Sequence, residues 1–169
     1  MDSSNNYHLK IIFDEGEINN TIEIYKRNEK TLATYISSET KRIEFTNGQL
    51  TDLYIENNNK IVKEKSSIEP TLIKFANIET IYSNDMKNIL HNCFFTNIES
   101  TNYRGIECFL IKNFSSYSIV ANNKGNNIIY LNKENGLPVR ILECDNRIDF
   151  IYEFNTVTDK DVDIVNLLQ

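Results

Sequence analysis

The strongest constraint in this sequence is a two-residue alternation of apolar and polar side chains in short runs that polar turn residues separate. The first run extends from Tyr7 to Phe13, with every second residue apolar, and Asp14-Glu15-Gly16 follows it. A later run, Arg42-Ile43-Glu44-Phe45, leads toward Asn47-Gly48. Asn-Gly is typical of a type I′ hairpin, because both central residues of that turn need positive φ. Short alternating runs joined by tight turns predict an antiparallel meander.

The alternation stops near Pro70. From Leu72 to Tyr82 the apolar residues recur at spacings close to three and four, which predicts a helix. Ser83-Asn84-Asp85 can cap a second short helix, and strand signals resume at Cys93. The expected fold class is α+β: one large curved antiparallel sheet of about 10–11 strands, an incomplete β-barrel, with one or two helices covering its concave face.

The length of 169 residues is expected to form a single domain, with residues 1–6 as a flexible N-terminal tether and 159–169 as a C-terminal tail. Hydrophobic residues make up 40% of the chain, which is too many for a disordered protein. Lys and Arg number 18 against 24 Asp and Glu, so the net charge is −6. This balance argues against a general binder of phosphate backbones, and no nucleic-acid partner is expected.

Residues that carry chemistry are few. His91 and Cys93 share one strand face and could touch one ion, but a structural zinc site needs four ligands in closely spaced pairs. Cys108 and Cys144 complete an odd set of three cysteines without a CxxC motif, which is typical of small buried residues. His8 has no nucleophile motif near it in the sequence. No catalytic residue, metal or cofactor is predicted, and the chain is not expected to be an enzyme.

A sheet that curls under a helical segment can enclose an apolar cavity. The candidate lining residues are apolar residues of the predicted strands, namely Ile22, Ile24, Ile43, Phe45, Phe109, Ile141, Phe150 and Tyr152. An ordinary packed core is the alternative interpretation of the same residues.

The C-terminal third resembles the LolA-like proteins of Gram-positive bacteria, a group related to outer-membrane lipoprotein carriers. Ile129-Tyr130-Leu131-Asn132-Lys133-Glu134-Asn135-Gly136-Leu137-Pro138-Val139-Arg140 is similar to the hairpin "Y-x-[DN]-K-E-T-G-L-P-x-[RK]" of that family. The run from Tyr152 to Val162 resembles the last strand of the group and its exit. The resemblance implies a lipoprotein-type domain outside the cytoplasm, with an incomplete β-barrel and a helical lid. Founding members shelter the acyl chains of lipoproteins, relatives sense envelope stress, and the family has no catalytic residue to transfer.

Two functions are therefore expected as alternatives. The first is a non-enzymatic binding domain of the cell envelope that shelters an apolar ligand, a lipid or a lipoprotein acyl chain. The second is a protein-interaction or envelope-sensing module with a filled core and no small ligand. The polar start of the chain fits either an extracytoplasmic lipoprotein whose leader and N-terminal anchor have been removed, or a cytoplasmic protein.

Overall fold

The computed structural model describes most of the chain. It covers residues 5–14, 19–57, 60–66, 69, 71–76, 98–112, 128–143 and 146–167. Eleven strands account for most of these residues: β1 (Asn6–Asp14), β2 (Asn19–Arg27), β3 (Lys30–Ile36), β4 (Lys41–Thr46), β5 (Thr51–Asn57), β6 (Lys60–Ser66), β7 (Ile98–Tyr103), β8 (Ile106–Lys112), β9 (Ile128–Asn132), β10 (Pro138–Glu143) and β11 (Asn146–Phe154).

The predicted α+β class is wrong, because the described residues form an antiparallel sheet without any α-helix. Where the first helix was predicted to begin, the chain makes a single 3₁₀ turn, Ile73–Ala76. The rest of that predicted helix and the whole of the second one lie outside the described residues. A second 3₁₀ turn, Ile164–Leu167, ends the described chain. None of the described helical segments has the length and apolar content that crossing a membrane requires.

Hydrogen bonding orders the strands as β6-β5-β4-β3-β2-β1-β11-β10-β9-β8-β7. The predicted strand number and antiparallel pairing are confirmed. Among the described strands β6 and β7 end the order, so the sheet is open and not a closed barrel. Each end strand therefore has one backbone edge that faces no other described strand.

The turn at Asn47-Gly48 differs in type from the prediction. Asn47-Gly48 does connect β4 and β5, but Thr46 pairs with Thr51 and four residues lie between them. Only Gly48 of this connection has positive φ, and the Asn47 side chain accepts the N–H groups of the next turn residues instead. The type I′ conformation occurs between β7 and β8, where Arg104 (φ 51°) and Gly105 (φ 85°) are both in the left-handed region.

The chain divides into two compact units, and the division falls within β1 and β11. The first unit contains residues 1–12, 18–78 and 151–169, and the second contains residues 13–17 and 79–150. In the first unit the strand registers define two faces of the sheet. The Leu32 face carries Tyr25, Leu32, Ile43, Phe45 and Tyr54, and the Glu44 face carries Ile22, Ile24, Ala33, Glu44 and Leu53.

Residues 155–167, here called the C-terminal segment, belong to the first unit and pack on its sheet. Asn6 and Val157 exchange two hydrogen bonds through the Asn6 side chain, at 3.0 and 3.1 Å. Arg27 donates to the Val157 carbonyl at 2.7 Å and to the Asp159 carboxylate at 2.9 Å. Ile164 packs against the cluster of Leu32, Ile43 and Tyr54. The described part of the region predicted as a tail from residue 159 therefore contacts the Leu32 face, through Asp159 and Ile164.

The Glu44 face holds a fully buried carboxylate, with 0% of Glu44 exposed. Glu44 Oε2 accepts the backbone N–H groups of Thr71, Leu72 and Ile73 at 3.0, 2.8 and 3.2 Å. Glu44 Oε1 accepts the Thr71 hydroxyl at 2.5 Å and an Arg42 N–H at 2.7 Å. These donors include the otherwise unpaired N–H groups at the start of the 3₁₀ turn, so Glu44 fixes residues 71–73 on the sheet.

In the second unit, the registers of β7 to β11 also define two faces. The Ile141 face carries Phe109, Ile111, Ile129, Leu131, Ile141, Ile148 and Phe150. The Arg140 face carries Tyr103, Cys108, Tyr130, Arg140 and Asp149.

Candidate functional site

The candidate residues of the first unit do not share one surface. Ile24 lies opposite Ala33, and Ala33 lies opposite Glu44, so Ile22 and Ile24 belong to the Glu44 face. Ile43 and Phe45 flank Glu44 in β4, and their side chains point to the Leu32 face. The structure therefore separates Ile22 and Ile24 from Ile43 and Phe45 by the thickness of the sheet.

Burial decides what these residues can contact. Ile24 and Ile43 are 0% exposed and Ile22 is 4% exposed. An opening large enough for water would give its lining atoms accessible surface, so Ile24 and Ile43 border no such opening. Phe45 is half-buried against the Leu32, Ile43 and Tyr54 cluster. Tyr152 is half-buried and stacks on Phe154 with ring centroids 6.0 Å apart.

The second unit brings its three candidate residues to the Ile141 face. Ile111, Ile129 and Ile141 lie opposite one another across β8, β9 and β10, and Phe109 lies two residues from Ile111. Ile141 and Phe150 are buried. Phe109 is 41% exposed, and the ammonium group of Lys133 lies 5.4 Å from its ring centroid.

The two end strands differ in how they are protected against pairing. In β6, four of the seven residues are charged, namely Lys60, Lys63, Glu64 and Lys65, and a bulge shifts its register with β5. Lysine side chains and bulges on an edge strand both oppose the addition of another strand. In β7, Ile-Glu-Ser-Thr-Asn-Tyr, the single charged residue is Glu99, which pairs with Lys112 of β8 at 2.7 Å. Of the two described edges, β7 therefore carries fewer features that oppose the addition of a strand.

The hairpin geometry shows which backbone groups of β7 point to that open edge. Tyr103 and Ile106 flank the two-residue turn, so they form a hydrogen-bonded pair, and such pairs recur at every second residue. Thr101 and Glu99 are therefore the next residues of β7 that bond to β8. The N–H and C=O groups of Ile98, Ser100 and Asn102 point away from β8. Four of the six β7 residues are exposed, including these three.

An arginine–tyrosine cluster lies at the turn end of β7, on the Arg140 face. Arg140 donates two hydrogen bonds to Asp149, from Nε at 2.6 Å and from Nη2 at 2.8 Å. Its guanidinium carbon lies 4.3 Å from the ring centroid of Tyr103, and that of Arg104 lies 5.2 Å from the same ring. Tyr130 contacts Tyr103 with ring centroids 5.4 Å apart. Two guanidinium groups thus face one carboxylate, which leaves this end of β7 positively charged.

The pKa values in the cluster follow from this arrangement. Burial would raise the pKa of Asp149, but the hydrogen bonds and the charge of Arg140 outweigh it and lower this pKa. Burial, together with the negative charge of Asp149, raises the pKa of Tyr103. Arg140 is therefore neutralised by an ionised Asp149. Arg104, with a side chain 61% exposed and its Nη2 3.7 Å from Asp149, is the accessible cation.

The sequence reasoning missed Arg104, Asp149 and Glu44. In the sequence Arg140 stands out only as part of a hairpin motif, and its contact with Asp149 depends on the register of β10 and β11. Glu44 lies between two apolar residues in an alternating run, which predicts a solvent-facing side chain rather than a buried one. In the sequence, the available signal for the arginine–tyrosine cluster was Arg104-Gly105, a positively charged residue followed by glycine in a predicted turn.

No group of three or more His, Cys, Asp or Glu side chains within the described ranges is placed to hold a metal ion. His8 contacts Glu153 at 3.1 Å and stacks on Tyr25. Cys108 is buried. His91, Cys93 and Cys144 lie outside the described residues.

The comparisons with known proteins identify a fold and no family. No protein-family model matches the chain, and no curated protein matches it. A solved structure described as an uncharacterized conserved protein from Thermus thermophilus is similar, with a TM-score of 0.53 and 9% sequence identity. The alignment covers 94% of this chain and 84% of that chain. At this identity the similarity concerns the fold alone, and the comparisons give no support to the resemblance to LolA-like proteins.

Proposed function

We propose that this protein is a non-enzymatic interaction module that binds an extended protein segment along β7. The observation that carries the proposal is the asymmetry of the two end strands. β6 is protected by lysines and a bulge, whereas β7 has its one charge neutralised by Lys112 and directs the backbone groups of three residues outward. An added strand satisfies such groups with main-chain hydrogen bonds, and its alternate side chains provide specificity.

The burial of the core supports this proposal over a ligand cavity. Ile24 and Ile43 contact only protein atoms, as expected for the filled core of an interaction module. The residues that remain exposed on β7 and β8 include Ile98 at 48% and Phe109 at 41%. Both lie on the Ile141 face, where an added strand could place an apolar side chain beside Ile98.

The test uses a panel of synthetic hexapeptides that alternate valine and threonine and carry one glutamate, glutamine or lysine. We expect at least one peptide to shift the backbone amide resonances of Ile98, Ser100 and Asn102 in ¹⁵N correlation spectra. Ser100→Pro removes an outward N–H while leaving the β7–β8 bonds in place, so it should abolish the shifts. Ser100→Ala keeps that N–H and is the matched control, and it should retain them. The proposal is refuted if neither a peptide nor another protein chain binds at these amides, or if both variants behave alike.

A second candidate function is the sheltering of an apolar ligand or acyl chain at the cell envelope. The observation that favours it is the partial exposure of Ile98 and Phe109 beside the buried residues of the Ile141 face. Native mass spectrometry of protein purified from cells would then show a lipid adduct, and a fluorescent fatty acid would bind to the wild type more tightly than to Phe109→Ser. The absence of both an adduct and binding of the fatty acid would exclude this candidate.

A further inference from the structure

We propose that the segment bound along β7 is the β7 strand of a second copy of this chain, paired antiparallel about a two-fold axis. This inference rests on the proposed function, because it names the partner that occupies the same open edge. The partner is inferred from the charges of β7 and from the registers that two-fold symmetry allows.

Symmetry restricts the registers of such a pair. Along two antiparallel strands, residue pairs that are hydrogen-bonded alternate with residue pairs that are not. A two-fold axis perpendicular to the sheet relates each hydrogen-bonded pair to another hydrogen-bonded pair. The axis must therefore pass where one residue lies opposite its own copy. Near the middle of β7 the two possibilities are Ser100 opposite Ser100 and Thr101 opposite Thr101.

Charge distinguishes the two registers. With Ser100 at the axis, Glu99 lies opposite Thr101 of the other copy, and the two Glu99 side chains become diagonal neighbours. With Thr101 at the axis, Glu99 lies opposite Tyr103 of the other copy. The ring of Tyr103 is flanked by Arg104, whose side chain is 61% exposed. The Thr101 register thus replaces the contact between the two Glu99 side chains with a contact between Glu99 and Arg104. The two-fold axis produces this contact twice in the dimer.

The remaining contacts of the Thr101 register are also favourable. Ser100 and Asn102, whose backbone groups point outward, exchange hydrogen bonds with Asn102 and Ser100 of the other copy. Thr101 meets its own copy, and a cross-strand threonine pair is stabilising. Glu99 keeps Lys112 as a neighbour at 2.7 Å, so each carboxylate would lie between two cations. The strand pair buries less surface than a standard interface, so we expect a dissociation constant on the order of tens of micromolar.

The experiment measures self-association of the whole chain by sedimentation equilibrium. The weight-average mass should rise with concentration from 19.7 kDa toward twice that value, and Ser100→Pro should keep it at the monomer mass while Ser100→Ala does not. Two charge variants test the register. In a homodimer of Arg104→Glu, the Glu99 side chain of each copy faces a second negative charge at position 104. In a homodimer of Glu99→Arg, the Arg104 side chain of each copy faces a second positive charge at position 99. Each alone should weaken dimerisation about tenfold, whereas an equimolar mixture should recover it, because both variants have complementary charges at their contact in the mixed pair.

The outcomes separate the two proposals. If the wild type stays monomeric at all concentrations while a hexapeptide still shifts the β7 amides, the partner is another protein and the second-copy inference is overturned. If neither the second copy nor any peptide binds at β7, the proposed function fails as well. If the dimer forms and its dissociation constant is unchanged by Ser100→Pro and by the charge variants, the two copies associate through another surface. That result also overturns the inference.

Discussion

Replacing Glu44 with glutamine tests the account of the buried carboxylate most directly. Glu44 and Gln have nearly the same shape, but one carboxylate oxygen becomes an NH₂ group that faces donors. If that group takes the place of Oε2, the N–H groups of Leu72 and Ile73, both on buried residues, lose their acceptor. A buried donor left unsatisfied costs about 1–3 kcal/mol, so two such donors predict a loss of about 3 kcal/mol in the free energy of unfolding.

The assay is urea denaturation followed by circular dichroism at pH 7. With an m-value of about 2 kcal/mol per molar urea, a loss of about 3 kcal/mol moves the midpoint down by about 1.5 M. Glu56→Gln on the adjacent strand β5 is the matched control. The Glu56 side chain is 31% exposed and lies 3.6 Å from the Lys41 ammonium group, so its replacement should cost less than about 1 kcal/mol.

The pH dependence provides an independent check. Burial would raise the pKa of Glu44, but the hydrogen bonds from Thr71, Leu72 and Ile73 outweigh it, so this pKa is lower in the folded than in the unfolded chain. The stabilisation by ionised Glu44 is therefore fully present above the ordinary glutamate pKa and is lost as the pH falls through the folded pKa. The difference between the wild type and Glu44→Gln should narrow as the pH falls below the ordinary glutamate pKa.

Two results would refute this reasoning. One is a midpoint for Glu44→Gln that matches the Glu56→Gln control at pH 7. The other is a difference in unfolding free energy between the wild type and Glu44→Gln that stays constant as the pH falls well below the ordinary glutamate pKa. Protonated Glu44 should behave much as glutamine does, so this difference should shrink there.

Three further predictions concern the C-terminal segment and the buried thiol. Ile164→Ala should lower the free energy of unfolding by about 2 kcal/mol, because Ile164 packs against the Leu32, Ile43 and Tyr54 cluster. Val165, which is 56% exposed, is the control, and Val165→Ala should change this free energy by less than about 0.5 kcal/mol. Equal losses would contradict the packing of the C-terminal segment. Arg27→Ala removes the two hydrogen bonds that Arg27 donates to the C-terminal segment, so trypsin should cleave after Lys160 about ten times faster. An unchanged cleavage rate would show that Arg27 does not hold this segment in place. Cys108 should resist iodoacetamide in the native protein and react in urea, since burial raises the pKa of its thiol and limits access, and rapid native labelling in peptide maps would exclude this.

The alternation of apolar and polar residues was sufficient to predict most strands of the described chain. The run from Tyr7 to Phe13 lies within β1, and the run around Ile43 lies within β4. A strand is readable from local sequence because its side chains point alternately to two faces, whatever the neighbouring strands are. The helix prediction at Leu72 failed within the described residues, because apolar spacings near three and four also occur in a short turn that Glu44 holds against the sheet.

The candidate site depended on information that local patterns do not contain. Alternation places Ile24 and Ile43 each on a face of its own strand, but only the register through Ala33 and Glu44 shows that these faces are opposite. The positions of β6 and β7 at the ends of the strand order likewise depend on pairings between distant parts of the chain.

Side-chain periodicity and turn chemistry are local properties, so the order of amino acids is enough to predict a protein rich in short antiparallel strands with polar turns. The burial of Glu44 as an acceptor, the meeting of Arg104 and Arg140 at Tyr103, and the position of β7 at one end of the described strand order are visible only in the folded structure. These features arise from register and strand order, which are set by the sum of many contacts between residues far apart in the chain.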